Sequence, residues 1–110
     1  MVSNEAQVCI DACNRCTSAA NACLARHVGE EPMKACLLLC LDCTDLCSAC
    51  TQMLARGSEF GNRVCAVCAE LCERCAVECE KFESRECQDC ADACRKCAEE
   101  CRQMGARKAA

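Results

Sequence analysis

The chain has 110 residues, 19 of them cysteine, no Trp or Tyr, and a formal net charge of −4 with a pI near 5.0. The acidic balance, without a basic stripe or an aromatic stacking platform, argues against nucleic acid or an anionic membrane as partner. No 18-residue apolar run exists for a membrane span, and only 17 residues are Leu, Ile, Val or Phe, so one domain of this length must build its interior largely from sulfur.

The first element is expected over about 3–27, with Ser3 as its cap, and carries Cys9, Cys13, Cys16 and Cys23. Steps of three and four residues return to one face of an α-helix, so these sulfurs form a stripe. Ala20 stands where the stripe would place another cysteine. "HVGEEP" (27–32) interrupts the pattern, and Pro32 suits a first helical turn. The second helix, about 32–55, carries Cys36, Cys40, Cys43, Cys47 and Cys50.

"RGSEFG" (56–61) supplies Gly57 as a C-terminal stop and Ser58 as an N-cap. The third helix, about 59–82, follows with Cys65, Cys68, Cys72, Cys75 and Cys79. After the tight connection "FES" (82–84), Ser84 caps a fourth helix, about 84–104, bearing Cys87, Cys90, Cys94, Cys97 and Cys101. Gly105 ends it, and the tail "GARKAA" reads as solvated. Ala, Glu, Arg, Lys and Leu fill the remaining positions, all good helix formers. Each stripe is a heptad seam with cysteine at a and d. The expected fold is all-α: an antiparallel up-down-up-down four-helix bundle with a cysteine-lined core, one domain over residues 1–110.

A disulfide framework fits poorly, because the cysteine count is odd and the first residues, "MVSNEAQVCIDAC", have neither the basic n-region nor the apolar h-region expected of a secretory signal. The expected compartment is therefore the cytoplasm, where thiols stay reduced. A core that needed only small apolar groups would mix Ala, Val and Cys, so the pattern points to metal. Zinc wants closed Cys₄ tetrahedra, each doubly negative, and a stack of these in a dry core leaves charge uncompensated. Iron–sulfur clusters use Cys-rich loops such as C-x₂-C-x₂-C-x₃-C-P, which this chain lacks. Copper(I) is soft and prefers thiolate. If each ion bridges two thiolates and each thiolate two ions, the charges cancel one to one and a long neutral core results. Multiple copper(I) ions per chain are expected. A zinc or mixed-metal thiolate buffer stands second, and an iron–sulfur electron carrier third. No enzyme activity is expected: there is one histidine, and the thiols share one environment without an activating base.

The repeated C-x₃-C-x₂-C and C-x₂-C-x₃-C blocks, from about Gln7 to Met104, resemble the bacterial four-helix-bundle copper storage proteins, and the chain looks like their cytosolic branch. The resemblance implies storage of many copper(I) ions and assembly into homotetramers. Ala20 departs from the stripe.

The stripes also extend past the cysteines. His27, Met33, Phe82 and Glu83 gather at one end of such a bundle, and Val2, Ala6, Leu54, Gly61 and Met104 at the other. His27 and Met33 offer imidazole and thioether, both acceptable to copper(I), so copper is expected to pass in at their end, with the opposite end plugged. Helix 4 turns Asp92, Arg95, Lys96, Glu99 and Arg102 to solvent. Helix 2 turns Leu38 and Leu41 away from the seam, a surface for subunit contact.

Overall fold

The computed structural model describes residues 2–107; Met1 and residues 108–110, the end of the tail, lie outside it. Four α-helices follow in chain order: α1 (Asn4–His27), α2 (Lys34–Arg56), α3 (Gly61–Cys79) and α4 (Arg85–Gly105). Each helix packs on its chain neighbours, and α1 closes the ring on α4, so the cross-section is square with antiparallel edges. The rod measures 44 × 19 × 18 Å.

Caps fix the helix ends. Ser3 accepts the amide of Ala6 and Ser84 that of Cys87, both at 3.1 Å, each satisfying one of the orphan donors of a first turn. Pro32 lies in a short 3₁₀ turn (Glu31–Met33) that leads into α2. Gly57 takes the left-handed conformation at φ 68° that ends α2, a region glycine enters without a steric penalty.

Two expectations fail around α3. Ser58 does not cap this helix: its hydroxyl accepts the amide of Phe60 at 3.1 Å, and its carbonyl accepts that of Gly61. That turn uses up Ser58, so α3 starts at Gly61 with Phe60 in the cap position. The helix also stops at Cys79 rather than near residue 82. Lys81 and Phe82 donate to the carbonyls of Glu78 and Cys79, three residues back, and this tightened turn carries the chain over to α4.

The faces sort as their composition requires. All five expected polar positions of α4 are exposed. The α3–α4 edge is lined by the small buried residues Ala69, Ala76, Ala91 and Ala98, and is crossed by the ion pairs Arg95–Glu80 at 2.7 Å and Arg102–Glu73 at 2.8 Å. At its end a Cβ on Gly105 would meet Ala66 at 2.8 Å, so only glycine allows this close approach. Helix α2 differs: Leu38 and Leu41 are about half exposed, and among the described residues no ion pair ties it to α1 or α3.

Candidate metal centre

All nineteen cysteines are free thiols, and all are fully buried. The heptad seams bring them together in two ladders. Between α1 and α4, the rungs are Cys9–Cys101 at 3.6 Å, Cys13–Cys97 at 3.7 Å, Cys16–Cys94 at 3.6 Å and Cys23–Cys87 at 3.7 Å. Between α2 and α3 they include Cys36–Cys79 at 3.4 Å, Cys40–Cys75 at 3.9 Å and Cys47–Cys68 at 3.8 Å. The same register opposes Cys43 to Cys72 and Cys50 to Cys65. Diagonal contacts join the ladders, with Cys40–Cys90 at 3.8 Å and Cys47–Cys97 at 3.7 Å. The result is a sulfur column roughly 21 Å long, from the fourteen-residue span of Cys9 to Cys23 at 1.5 Å rise per residue.

Sets of four sulfurs lie within 4.8 Å of one another, and the sets overlap. Cys13 and Cys68 belong both to the set with Cys50 and Cys101 and to the set with Cys47 and Cys97; Cys40 and Cys79 are likewise shared by two sets. A closed mononuclear Cys₄ site keeps its four ligands to itself. Shared ligands suit a chain of bridged ions that runs through the column.

Ala20 is fully buried in the same stripe, and the α1–α4 register places it opposite Cys90. That rung has one sulfur, and Cys90 turns to Cys40 on the diagonal instead. Ala20→Cys is therefore expected to complete the rung and raise copper(I) capacity by about one ion per chain, read by titration, with little change in helicity.

The electrostatics follow from burial and mutual hydrogen bonding. At the His27 end, burial pushes the Cys36 thiol up to about 12, with a hydrogen bond from Cys79 acting the other way. Burial likewise raises Cys87. Cys23, in the same layer, is held well below the usual thiol value by hydrogen bonds from Cys40 and then Cys79. The outermost layer thus pairs one sulfur disposed to ionise with neighbours that keep their protons, and the thiolate is the form that binds metal.

Both residues expected at the mouth of the column are buried there. His27 is 6% exposed and Met33 4%. Phe82 is half-buried against the core. Glu83 is not gathered in: it is exposed, because α4 starts only at Arg85 and residue 83 precedes the cap. Ser84 takes its place, with its hydroxyl 2.8 Å from His27 Nε2. Sequence reading valued Ser84 only as a cap. The opposite end is apolar, with Ala6, Leu54 and Met104 buried. Gly61 makes room there, since a Cβ on it would lie 3.3 Å from Leu54 Cδ2.

The copper storage protein family matches residues 2–106. The chain belongs to that family. Among solved structures, copper(I)-bound copper storage protein BsCsp3 superposes with a TM-score of 0.89 at 37% identity, over 94% of this chain and 100% of that one. Apo copper storage protein 3 from Bacillus subtilis gives 0.86 at 39% identity, over 91% and 98%. The cysteine-rich protein YhjQ of Bacillus subtilis is 38% identical over 80 residues, which cover 70% of this chain and 74% of that protein. For a copper storage protein the overlapping sulfur sets have an immediate use, because a sulfur shared by two sets can serve two neighbouring ions.

Proposed function

We propose that this protein stores copper(I) by converting its buried thiol column into a continuous copper–thiolate core. The single observation that carries the reading is the column itself: nineteen buried sulfurs, most of them in overlapping sets of four. The monovalent ion offsets one thiolate charge apiece, so filling leaves the interior neutral, and soft sulfur selects copper(I) over harder cations. The family is one of storage proteins, and its copper(I)-bound relative supports this choice of ion over zinc or an iron–sulfur cluster.

Anaerobic titration of the reduced protein against a competing chelator tests the reading. Saturation is expected at roughly 15–20 ions per chain, from one-to-one pairing of copper with thiolate. Saturation below about six would favour isolated closed sites and sink the continuous core.

Copper enters, in this reading, at the end closed by His27 and Met33, both of which serve as first ligands before the ion passes to Cys23. The support is their burial at the end of the column next to Cys23, against an opposite end whose buried side chains are Ala6, Leu54 and Met104. Replacing both with leucine leaves the column intact, so capacity is expected to stay at the parental value. Loading from a small chelate, followed by stopped-flow at the copper–thiolate ultraviolet band, is expected to slow. Parental loading kinetics would reassign the mouth to the other end.

The protein is further read as a cytoplasmic homotetramer. The exposed Leu38 and Leu41 on α2, which makes no cross-helix ion pair among the described residues, support a subunit contact there. Among the described residues no helix is long and apolar enough to cross a membrane. Analytical ultracentrifugation of Leu38→Arg/Leu41→Arg against the parent tests the contact, and an unchanged assembly would refute it.

A further inference from the structure

His27 is the only histidine of the chain, and each of its ring nitrogens has a partner from a different element. Nδ1 lies 3.2 Å from both carboxylate oxygens of Glu30, in the connection from α1 to α2. Nε2 lies 2.8 Å from Ser84 Oγ, at the start of α4. For the neutral ring, the chemistry of the partners decides which nitrogen carries the proton. A carboxylate only accepts, so the hydrogen sits on Nδ1, and the neutral ring then has its lone pair on Nε2. Ser84 Oγ already accepts the amide of Cys87 at 3.1 Å, which leaves its own hydrogen free to donate to Nε2. Glu30 is in turn steadied by Arg26, whose Nη1 is 3.6 Å from Oε2. The donors run in one direction: Cys87 amide to Ser84, Ser84 hydroxyl to His27, His27 to Glu30.

We propose that Glu30 and Ser84 are positioning residues for copper(I) uptake: Glu30 holds the His27 proton on Nδ1, and the Ser84 hydroxyl holds the Nε2 lone pair ready above the outermost thiols until copper(I) displaces it. The proposal rests on the reading of His27 as a first ligand. Imidazole binds a metal only through an unprotonated nitrogen, and a hydrogen bond at the other nitrogen decides which one that is. Nε2 points to the α4 side, where Cys87 follows Ser84 by three residues, and His27 itself stands one helical turn beyond Cys23. Copper arriving at Nε2 breaks one neutral hydrogen bond and forms one copper–nitrogen bond; no proton moves. Ser84 accepts the Cys87 amide through a different lone pair, so release of the ring does not uncap α4. Helix α4 stays in place while the mouth opens.

Because the chain has one histidine, nitrogen NMR of the labelled, copper-free protein reads its tautomer directly. The parent is expected to show hydrogen on Nδ1 and none on Nε2. In Glu30→Ala the hydrogen is expected to move to Nε2, with loading from a small copper(I) chelate slowed roughly tenfold, the lower range for loss of an outer-sphere partner, and capacity unchanged. Ser84→Asp keeps the cap but replaces the hydroxyl with a carboxylate that has no hydrogen to donate, so the Nε2 lone pair loses the partner that holds it in place and loading slows. Simple attraction of a cation to added negative charge gives the opposite sign. An Nε2–H ring in the parent, a parental tautomer and rate in Glu30→Ala, or faster loading of Ser84→Asp would each overturn the proposal. His27→Leu separates the two levels. If it loads at the parental rate, His27 is no ligand; if it loads slowly while Glu30→Ala does not, the relay alone fails.

Discussion

The copper-free protein is expected to lose its helical circular dichroism cooperatively as pH rises from about 9 toward 12, while the copper-loaded protein retains it. The cause is the cost of burying thiolates. Cys36 ionises near 9.0 in the unfolded chain, and burial moves it to about 12 in the fold; Cys87 is moved in the same direction for the same reason. A raised value means that the fold binds a proton which the unfolded chain has already lost. The stability linked to it is complete below pH 9 and drains away as pH climbs through the window. A raised thiol contributes a slope of up to about 1.36 kcal/mol per pH unit while the fold keeps its proton, so Cys36 alone removes about 4 kcal/mol between pH 9 and 12, and Cys87 adds to the loss in the same direction. Against a total of roughly 5–15 kcal/mol for a domain of this size, that is a large share, and the chain is expected to unfold within the window. Cys23 does not add to the loss, because it is held low in the fold and both states have lost its proton through most of the window. Copper removes the effect by taking the protons' place, so loading near neutral pH also acidifies a weakly buffered solution. A copper-free chain fully helical at pH 12 would mean that the interior admits thiolate charge without penalty. The argument for a monovalent ion would then lose its basis.

The column was legible in the sequence because two periodicities coincide. Steps of three and four residues fix a helical face, and antiparallel packing of such faces has one register that meets the most sulfurs with sulfurs. The partners Cys9–Cys101 and Cys36–Cys79 follow from this alone, as does the apolar end, where Leu54 packs at Gly61. What stayed hidden was local. Phe60 and not Ser58 precedes α3, because the two-residue turn at Ser58 competes successfully for that hydroxyl. Glu83 continues the stripe by count yet falls outside it in space, since helical phase means nothing before the N-cap. The Ser84–His27 contact was invisible for a related reason: a capping hydroxyl has a hydrogen to spare, and sequence spacing does not say which ring it will find.

If the column conducts copper from one end, cutting it in the middle should strand the far sulfurs. Cys13, Cys47, Cys68 and Cys97 form one of the compact sets. Replacing all four with alanine leaves Cys9, Cys50, Cys65 and Cys101 on the apolar side and the remaining eleven cysteines on the His27 side. Alanine is tolerated in this stripe, as the buried Ala20 shows. In the parent, neighbouring sulfurs stand 3.4–4.0 Å apart, so an ion exchanges one thiolate for the next and is never bare. The alanine layer widens that step to about 10 Å, two helical turns, across a stretch with no polar atom. Moving an unliganded ion through a dry interior costs several kcal/mol, and each 1.36 kcal/mol on a barrier is tenfold in rate. Loading is therefore expected to split into a fast phase of about eleven ions at the parental rate and a phase of about four slowed at least a hundredfold. Retained helical dichroism in the copper-free variant controls for folding; if four cavities prove too many, the diagonal pair Cys47→Ala/Cys97→Ala narrows the column at the same level. A single fast phase of reduced amplitude would show that the distal thiols fill through the opposite end or between the helices. Ala6, Leu54 and Met104 would then be no barrier, and copper would need no path along the axis.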